Sequence, residues 1–120
     1  MTLDETVAGK EPQSLGRAES PRASLVVVHS ADKEQQGKRF PLGADDVTLG
    51  REPGNTIVIA SDQASRRHAR IFTSGGAHVL VDNDSTNGTF LNSKVTKEAT
   101  LRNGDVIRIA STVLKYVVEA

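Results

Sequence analysis

From Ser24 onward the chain places apolar residues in short bursts, separated by glycine, asparagine, aspartate and serine. Ser24-Leu-Val-Val-Val-His29 is a β-branched run, and the polar stretch from Ser30 to Gly37 follows it as a loop. Lys38 to Leu42 alternates as an outer strand does. Pro41 is tolerated there only at an edge or a strand end, because it has no N–H to give a neighbour. Val47 to Leu49, Thr56 to Ala60, His68 to Phe72, His78 to Asp82, Thr89 to Leu91, Val106 to Ile109 and Val113 to Val117 complete the series. Ser74-Gly75-Gly76 predicts a hairpin turn between two of these runs, and Asn103-Gly104 predicts a turn immediately before another. No segment sustains a helical period. About nine short strands spaced roughly 8–12 residues apart predict an antiparallel β-sandwich. In such a fold the strands carry the packing and the loops at the two ends carry function.

Residues 1–22 break the pattern. They are rich in Glu, Ser, Gly, Pro, Lys and Arg and have no apolar periodicity, so they are expected to form a flexible, disordered tail ahead of one domain over residues 23–120.

Composition narrows the picture. Aromatic residues make up only 3% of the chain against 37% hydrophobic, so the core is expected to be built from Val, Ile, Leu and Ala. Fifteen basic and fifteen acidic residues cancel, which argues against a dedicated nucleic-acid binder. There is no cysteine, which excludes disulfides, thiolate metal sites and cysteine nucleophiles. His29, His68 and His78 are scattered without metal-ligand spacing, so neither a metal nor a cofactor is expected. No apolar run reaches the roughly 18 residues needed to span a bilayer. The opening Met-Thr-Leu-Asp-Glu-Thr lacks the basic-then-apolar order of a signal peptide. A cytoplasmic location and no membrane partner are the expectation.

Three clusters of small and polar residues fall where end loops are predicted: Leu49-Gly50-Arg51, Ser65-Arg66-Arg67-His68-Ala69 and Ser85-Thr86-Asn87-Gly88-Thr89. In this order and spacing they resemble the forkhead-associated (FHA) domain family. Its pattern runs Leu-Gly-Arg, then Ser-Arg-x-His-Ala about fourteen residues on, then Ser-Thr-Asn-Gly-Thr about twenty after that. Asn55-Thr-Ile-Val-Ile59, Leu91-Asn92 and the stretch from Leu101 to Ile109 add to the likeness, which covers residues 24–118.

The resemblance implies an eleven-stranded antiparallel β-sandwich whose loops at one end hold a phosphothreonine peptide. It places Arg51 and Ser65 on the phosphate, with Arg66 assisting and Thr86 lining the same pocket. Asn87 would bond the backbone of the bound peptide, and His68 would buttress the loops. The chemistry agrees. A phosphothreonine carries about −1.5 to −2 charges and three strong acceptor oxygens. Guanidinium forks match that geometry better than an ammonium, and the Ser65 and Thr86 hydroxyls can complete the oxygen shell. Gly50 and Gly88 permit backbone angles or close approaches that a Cβ would block. Arg70 and Arg67 read as solvated surface residues.

Three positions depart from the family pattern. Asp84, Ser93 and Ala110 stand where glycine is common. Asp84 also adds a negative charge near the site, which is expected to weaken binding slightly or to favour a basic flank in the ligand.

The function expected is therefore a phosphothreonine-binding module in Ser/Thr-kinase signalling, whose partners are phosphorylated proteins and an upstream kinase. The alternative is a phospho-independent interaction or structural domain, the sensor part of a larger bacterial regulator. An enzyme is disfavoured. Ser85, His68 and Asp82 could be drawn as a hydrolase triad, but no Gly-x-Ser-x-Gly nucleophile elbow and no phosphate-cradling glycine loop is present. Within the tail, Thr6 follows Asp4 and Glu5 and is a candidate phosphorylation site. A flexible chain of that length has a span of roughly 20–25 Å, so a phosphorylated tail could reach its own domain.

Overall fold

The computed structural model describes residues 22–119. The expected tail, with Thr6, lies outside the described residues apart from Arg22. Eleven strands follow in chain order: β1 (Ala23–His29), β2 (Arg39–Leu42), β3 (Val47–Gly50), β4 (Ile57–Val58), β5 (Ala69–Ser74), β6 (Ala77–Asp82), β7 (Phe90–Leu91), β8 (Lys94–Val95), β9 (Glu98–Thr100), β10 (Val106–Ile109) and β11 (Thr112–Val118). They form a six-stranded sheet, β2-β1-β11-β10-β7-β8, packed on a five-stranded sheet, β4-β3-β5-β6-β9. One pairing departs from the antiparallel expectation: β3 and β4 run parallel, with Leu49 opposite Ile57. The alternation of apolar residues sets which face is buried and carries no information on strand direction.

The inward faces interdigitate as an aliphatic core. Leu25, Leu49, Ile71, Ile107, Ile109 and Leu114 are all fully buried. These residues recur at every second position of their strands, the period that turns one side of a strand inward. The polar stretch Ser30 to Gly37 contains a single 3₁₀ turn, Lys33–Gln35, which Asp32 caps by accepting from Glu34 N–H. Gln35 ties this loop to β4 by donating from Nε2 to Val58 O at 3.1 Å.

At the end of the sandwich where β6 and β2 meet their turns, two buried polar groups join the sheets. Tyr116 Oη on β11 lies 2.8 Å from His78 Nδ1 on β6. Both residues are buried, and their rings meet edge to face at 5.7 Å. His78 Nε2 faces Gly43 O at 3.4 Å. A carbonyl accepts only, so Nε2 carries the hydrogen and Nδ1 accepts from the phenol. Burial, and then the carboxylate of Asp105, raises the Tyr116 phenol above its usual value and keeps it a donor.

The three departures from the family pattern share a conformation. Asp84, Ser93 and Ala110 have φ of 54°, 72° and 55°. Each is a left-handed position that glycine occupies without strain and a Cβ makes costly. Asn92 and Ser93 both take positive φ in the two-residue loop between β7 and β8, as a type I′ turn requires. Ala110 is the first residue of the two-residue loop joining Ile109 to Thr112, the place where type II′ turns hold glycine. Ala110→Gly is therefore expected to stabilise the domain by about 1 kcal/mol, the relief of left-handed strain exceeding the added chain entropy. A thermal melt should show the midpoint rising by roughly 4–8 °C; an unchanged or lower midpoint would mean that Ala110 is unstrained.

Candidate functional site

Three loops meet at the end of the sandwich opposite the His78–Tyr116 pair. The first leaves β3 at Gly50, the second enters β5 through residues 59–68, and the third joins β6 to β7 through residues 83–89. The first two run alongside each other. Arg51 N–H donates to Ser65 O at 3.0 Å and Glu52 N–H to Arg66 O at 3.2 Å. Asn55 stitches them further, donating from Nδ2 to Glu52 O and to Arg66 O, both at 2.8 Å. This closeness explains Gly50. A Cβ there would lie 2.2 Å from Arg66 O and 2.9 Å from its carbonyl carbon. Glycine is needed at this point for space, not for φ.

His68 joins all three loops and is completely buried. Its N–H donates to Leu49 O at 2.8 Å, and its carbonyl accepts from Asn83 N–H at 2.9 Å. Ser65 N–H donates to His68 Nδ1 at 3.0 Å, so that nitrogen is unprotonated. Nε2 then carries the hydrogen and donates to Gly88 O at 2.8 Å. Both ring nitrogens are thereby committed to loop backbone. Ser85 Oγ bonds Asp82 Oδ1 instead and accepts from Gly88 N–H at 3.0 Å. The arrangement of Ser85, His68 and Asp82 lacks the serine–histidine contact that a hydrolytic triad requires.

The third loop winds around Asp82, whose side chain is 1% exposed. Its carboxylate accepts from the Ser85 N–H at 3.1 Å, the Ser85 hydroxyl, the Thr89 hydroxyl at 2.7 Å and Lys97 Nζ at 3.4 Å. Burial alone would raise this carboxyl, but the hydroxyls of Ser85 and Thr89, the Ser85 amide and Lys97 together outweigh it and hold it below the ordinary aspartate value. A carboxyl depressed in the folded state contributes stability that is complete above its unfolded value, near about 4, and is lost as pH falls through the folded value. The amides of Ser85 and Gly88 are therefore expected to lose hydrogen-exchange protection on acidification below about pH 4 in the ligand-free protein. Asp82→Asn should abolish that pH dependence; an unchanged acid response in the variant would assign it to another group.

These loops bring most of the expected residues to one surface. Thr86 N–H donates to Ser65 Oγ at 3.1 Å, so the second and third loops touch at two of them. Arg51 lies one residue from the same contact: its Nε donates to Ala64 O at 3.1 Å, which anchors the guanidinium and leaves its two terminal NH₂ groups without a hydrogen bond among the described residues. Arg51, Arg66, Thr86 and Asn87 are exposed and Ser65 is half-buried. Asn87 Nδ2 is held by Gln63, through the backbone carbonyl at 2.8 Å and Oε1 at 3.3 Å, while Oδ1 of this exposed residue has no hydrogen bond among the described residues. Gly88 has φ of 90°, and a Cβ on it would press Val95 Cγ2 at 3.3 Å. Arg67 pairs with Glu52 at 3.7 Å, and Arg70 pairs with Asp46 at 3.9 Å while lying over the Phe72 ring, so each guanidinium already has a carboxylate partner. Asp84 is fully exposed and faces Lys97 at 3.8 Å, so its charge is partly countered before it reaches a ligand.

Sequence reasoning passed over three residues that shape this end. Asp82 was visible only as a paper triad member at the end of a strand, because its partners Thr89 and Lys97 stand seven and fifteen residues further on. Asn55 stood only as the first residue of a family-like stretch just ahead of the Thr56–Ala60 strand, with no role given to its side chain. Gln63 carried no signal, because its shorter bond to Asn87 runs through a backbone carbonyl that any residue would supply.

The FHA domain profile matches residues 47–110. The FHA domain-containing protein FhaB of Mycolicibacterium smegmatis is 40% identical over 92 residues, which are 76% of this chain and 57% of that protein. The glycogen accumulation regulator GarA of the same organism is 33% identical over 110 residues, 92% of this chain and 69% of GarA. The chain thus spans little more than half the length of FhaB. Among solved structures, an FHA domain from a study of phosphothreonine-dependent FHA domain interactions superposes with a TM-score of 0.72 at 27% identity, over 82% of this chain and 98% of that one. The three motifs, the two-sheet sandwich and these likenesses agree: the chain belongs to the forkhead-associated (FHA) domain family.

Proposed function

We propose that the loop end of this sandwich binds phosphothreonine on partner proteins, as a recognition module of Ser/Thr-kinase signalling and not as an enzyme. The observation that carries the reading is the convergence on Ser65. Its carbonyl accepts from Arg51 N–H, and its hydroxyl oxygen accepts from Thr86 N–H. With that oxygen accepting, the Ser65 hydroxyl hydrogen is free to donate outward, beside the terminal NH₂ groups of Arg51 and the hydroxyl of Thr86. A doubly charged phosphate offers three oxygens to match these donors. Arg66 adds a second exposed guanidinium, and Asn87 presents an acceptor for the N–H of an extended peptide. The solved FHA domain from the phosphothreonine-dependent interaction study supports the same ligand. Capture of phosphorylated loops by arginine and hydroxyl donors needs no general base, which fits a His68 spent on structure.

The site works in the cytoplasm, where Ser/Thr kinases act, and takes its ligand from a phosphorylated partner or from a phosphorylated Thr6 on the same chain. The test is a peptide library presented in four forms: phosphothreonine, phosphoserine, phosphotyrosine and unmodified threonine. Retention of the phosphothreonine form over the unmodified one is expected. Equal retention of both would sink the reading and favour a phosphate-independent interaction domain.

A further inference from the structure

The outward face of the six-stranded sheet does not follow the pattern of a solvated face. An antiparallel sheet with one wet side alternates apolar and polar residues, whereas strands covered on both sides read as continuous apolar runs. β1 reads Leu25-Val-Val-Val28, and its outward Val26 and Val28 break the alternation. The large exposed hydrophobic residues among those described are Val28, Val95 and Val106, and all three belong to this sheet. Register ties them into two rows. Arg39, Val26, Lys115 and Val106 lie side by side across β2, β1, β11 and β10. Val113, Arg108, Phe90 and Val95 lie side by side across β11, β10, β7 and β8, with Val28 in the β-bulge next to Val113. The Arg108 guanidinium covers Phe90 at 4.2 Å from the ring centroid.

The charged groups in these rows are Arg39, Lys115 and Arg108, all cationic, with Glu119 pairing Arg39 at the corner. The face also runs into the recognition end, because a Cβ placed on Gly88 would meet Val95 Cγ2 at 3.3 Å and the Phe90 ring at 3.5 Å. We propose that this face is a second docking surface, for the folded body of the phosphorylated partner, and that the surface it meets is apolar and fringed with carboxylates. The like charges of Arg39, Lys115 and Arg108 disfavour a second copy of the chain in the same place. The proposal rests on the phosphothreonine reading, since the phosphate contact is what brings the partner body alongside.

The test uses the full chain. The probe is the phosphoprotein that the intact chain retains from cells and Arg51→Ala does not, compared with a synthetic phosphothreonine peptide spanning its modified site. The whole phosphoprotein is expected to bind at least about tenfold more tightly than the peptide. Val28→Glu with Val106→Glu should remove that gain while leaving peptide affinity unchanged within about twofold. Lys115→Glu should weaken the phosphoprotein in low salt more than in high salt. A phosphoprotein that binds no better than its peptide, or that ignores the charges at 28 and 106, overturns the docking face and leaves the phosphothreonine site standing. A chain that sediments as a dimer split by Val106→Glu assigns the face to a second copy. A chain lacking residues 1–21 that gains affinity for the phosphoprotein assigns it to the chain's own leading segment. Either result overturns the proposal. Retention of no phosphoprotein, or equal retention by Arg51→Ala, overturns the phosphothreonine reading itself and the docking face with it.

Discussion

Arg51→Ala is expected to lower phosphothreonine-peptide affinity by at least about a hundredfold while leaving the fold intact. Arg51 supplies two NH₂ groups that are unbonded among the described residues, from a guanidinium already anchored by Ala64 O, so little side-chain freedom remains to be lost on binding. Its removal takes away the bidentate fork and its charge but little packing, because the side chain is exposed. Stability should therefore change by no more than a surface substitution costs, roughly 0.5 kcal/mol, a midpoint shift of only about 2–4 °C. Arg51→Lys should restore only a small part of the affinity, since an ammonium keeps the charge and loses the fork. Calorimetric titration of one phosphopeptide against the three proteins, with melts of each, measures this directly. Undiminished binding by the alanine variant would remove the phosphate from this site altogether.

Gly50→Ala should do the reverse, damaging binding by damaging the fold. The new methyl would meet Arg66 O at 2.2 Å and the Arg66 carbonyl carbon at 2.9 Å. Both are backbone atoms held by Glu52 N–H and Asn55 Nδ2, so neither can swing aside cheaply. The two loops must part, and the bonds that place Arg51 beside Ser65 go with them. A loss of about 3 kcal/mol or more is expected. The midpoint should fall by more than about 10 °C, and phosphopeptide binding should fall with it. Gly54→Ala is the matched control, because a Cβ there meets nothing within 4 Å. A Gly50→Ala protein as stable as the control would show that the loops tolerate separation.

The sandwich was largely legible because its strands alternate in the period of two that buries one face. Residues whose partners lie far away in sequence were harder to read. Lys94–Val95 and Glu98–Thr100 are too short to show alternation, and they become strands because Phe90 and Val81 lie across from them. Thr56 to Ala60 reads as five residues of strand, yet only Ile57–Val58 pairs as strand: Asn55 turns to the neighbouring loop, and Thr56 N–H bonds the Thr48 hydroxyl in place of a backbone carbonyl. The ligand-facing residues were visible through their motifs. The support beneath them was less so: Asp82 gathers Ser85, Thr89 and Lys97 through geometry that no local pattern encodes. Asp84, Ser93 and Ala110 show the converse. Their substitution of glycine was plain in the sequence, and the backbone angle that explains it was not.

The His78–Tyr116 clasp gives the molecule two poles. The bond that pins sheet to sheet sits at one, and the loops that meet partners sit at the other. Rewiring the outer loops need not unlock the barrel of aliphatic residues between them. A lineage, or a protein engineer, can exchange one target for another by editing a few loop positions while the far pole keeps the scaffold shut. Modules of this construction are suited to duplication and retargeting, and to grafting as ready-made sensors onto new outputs.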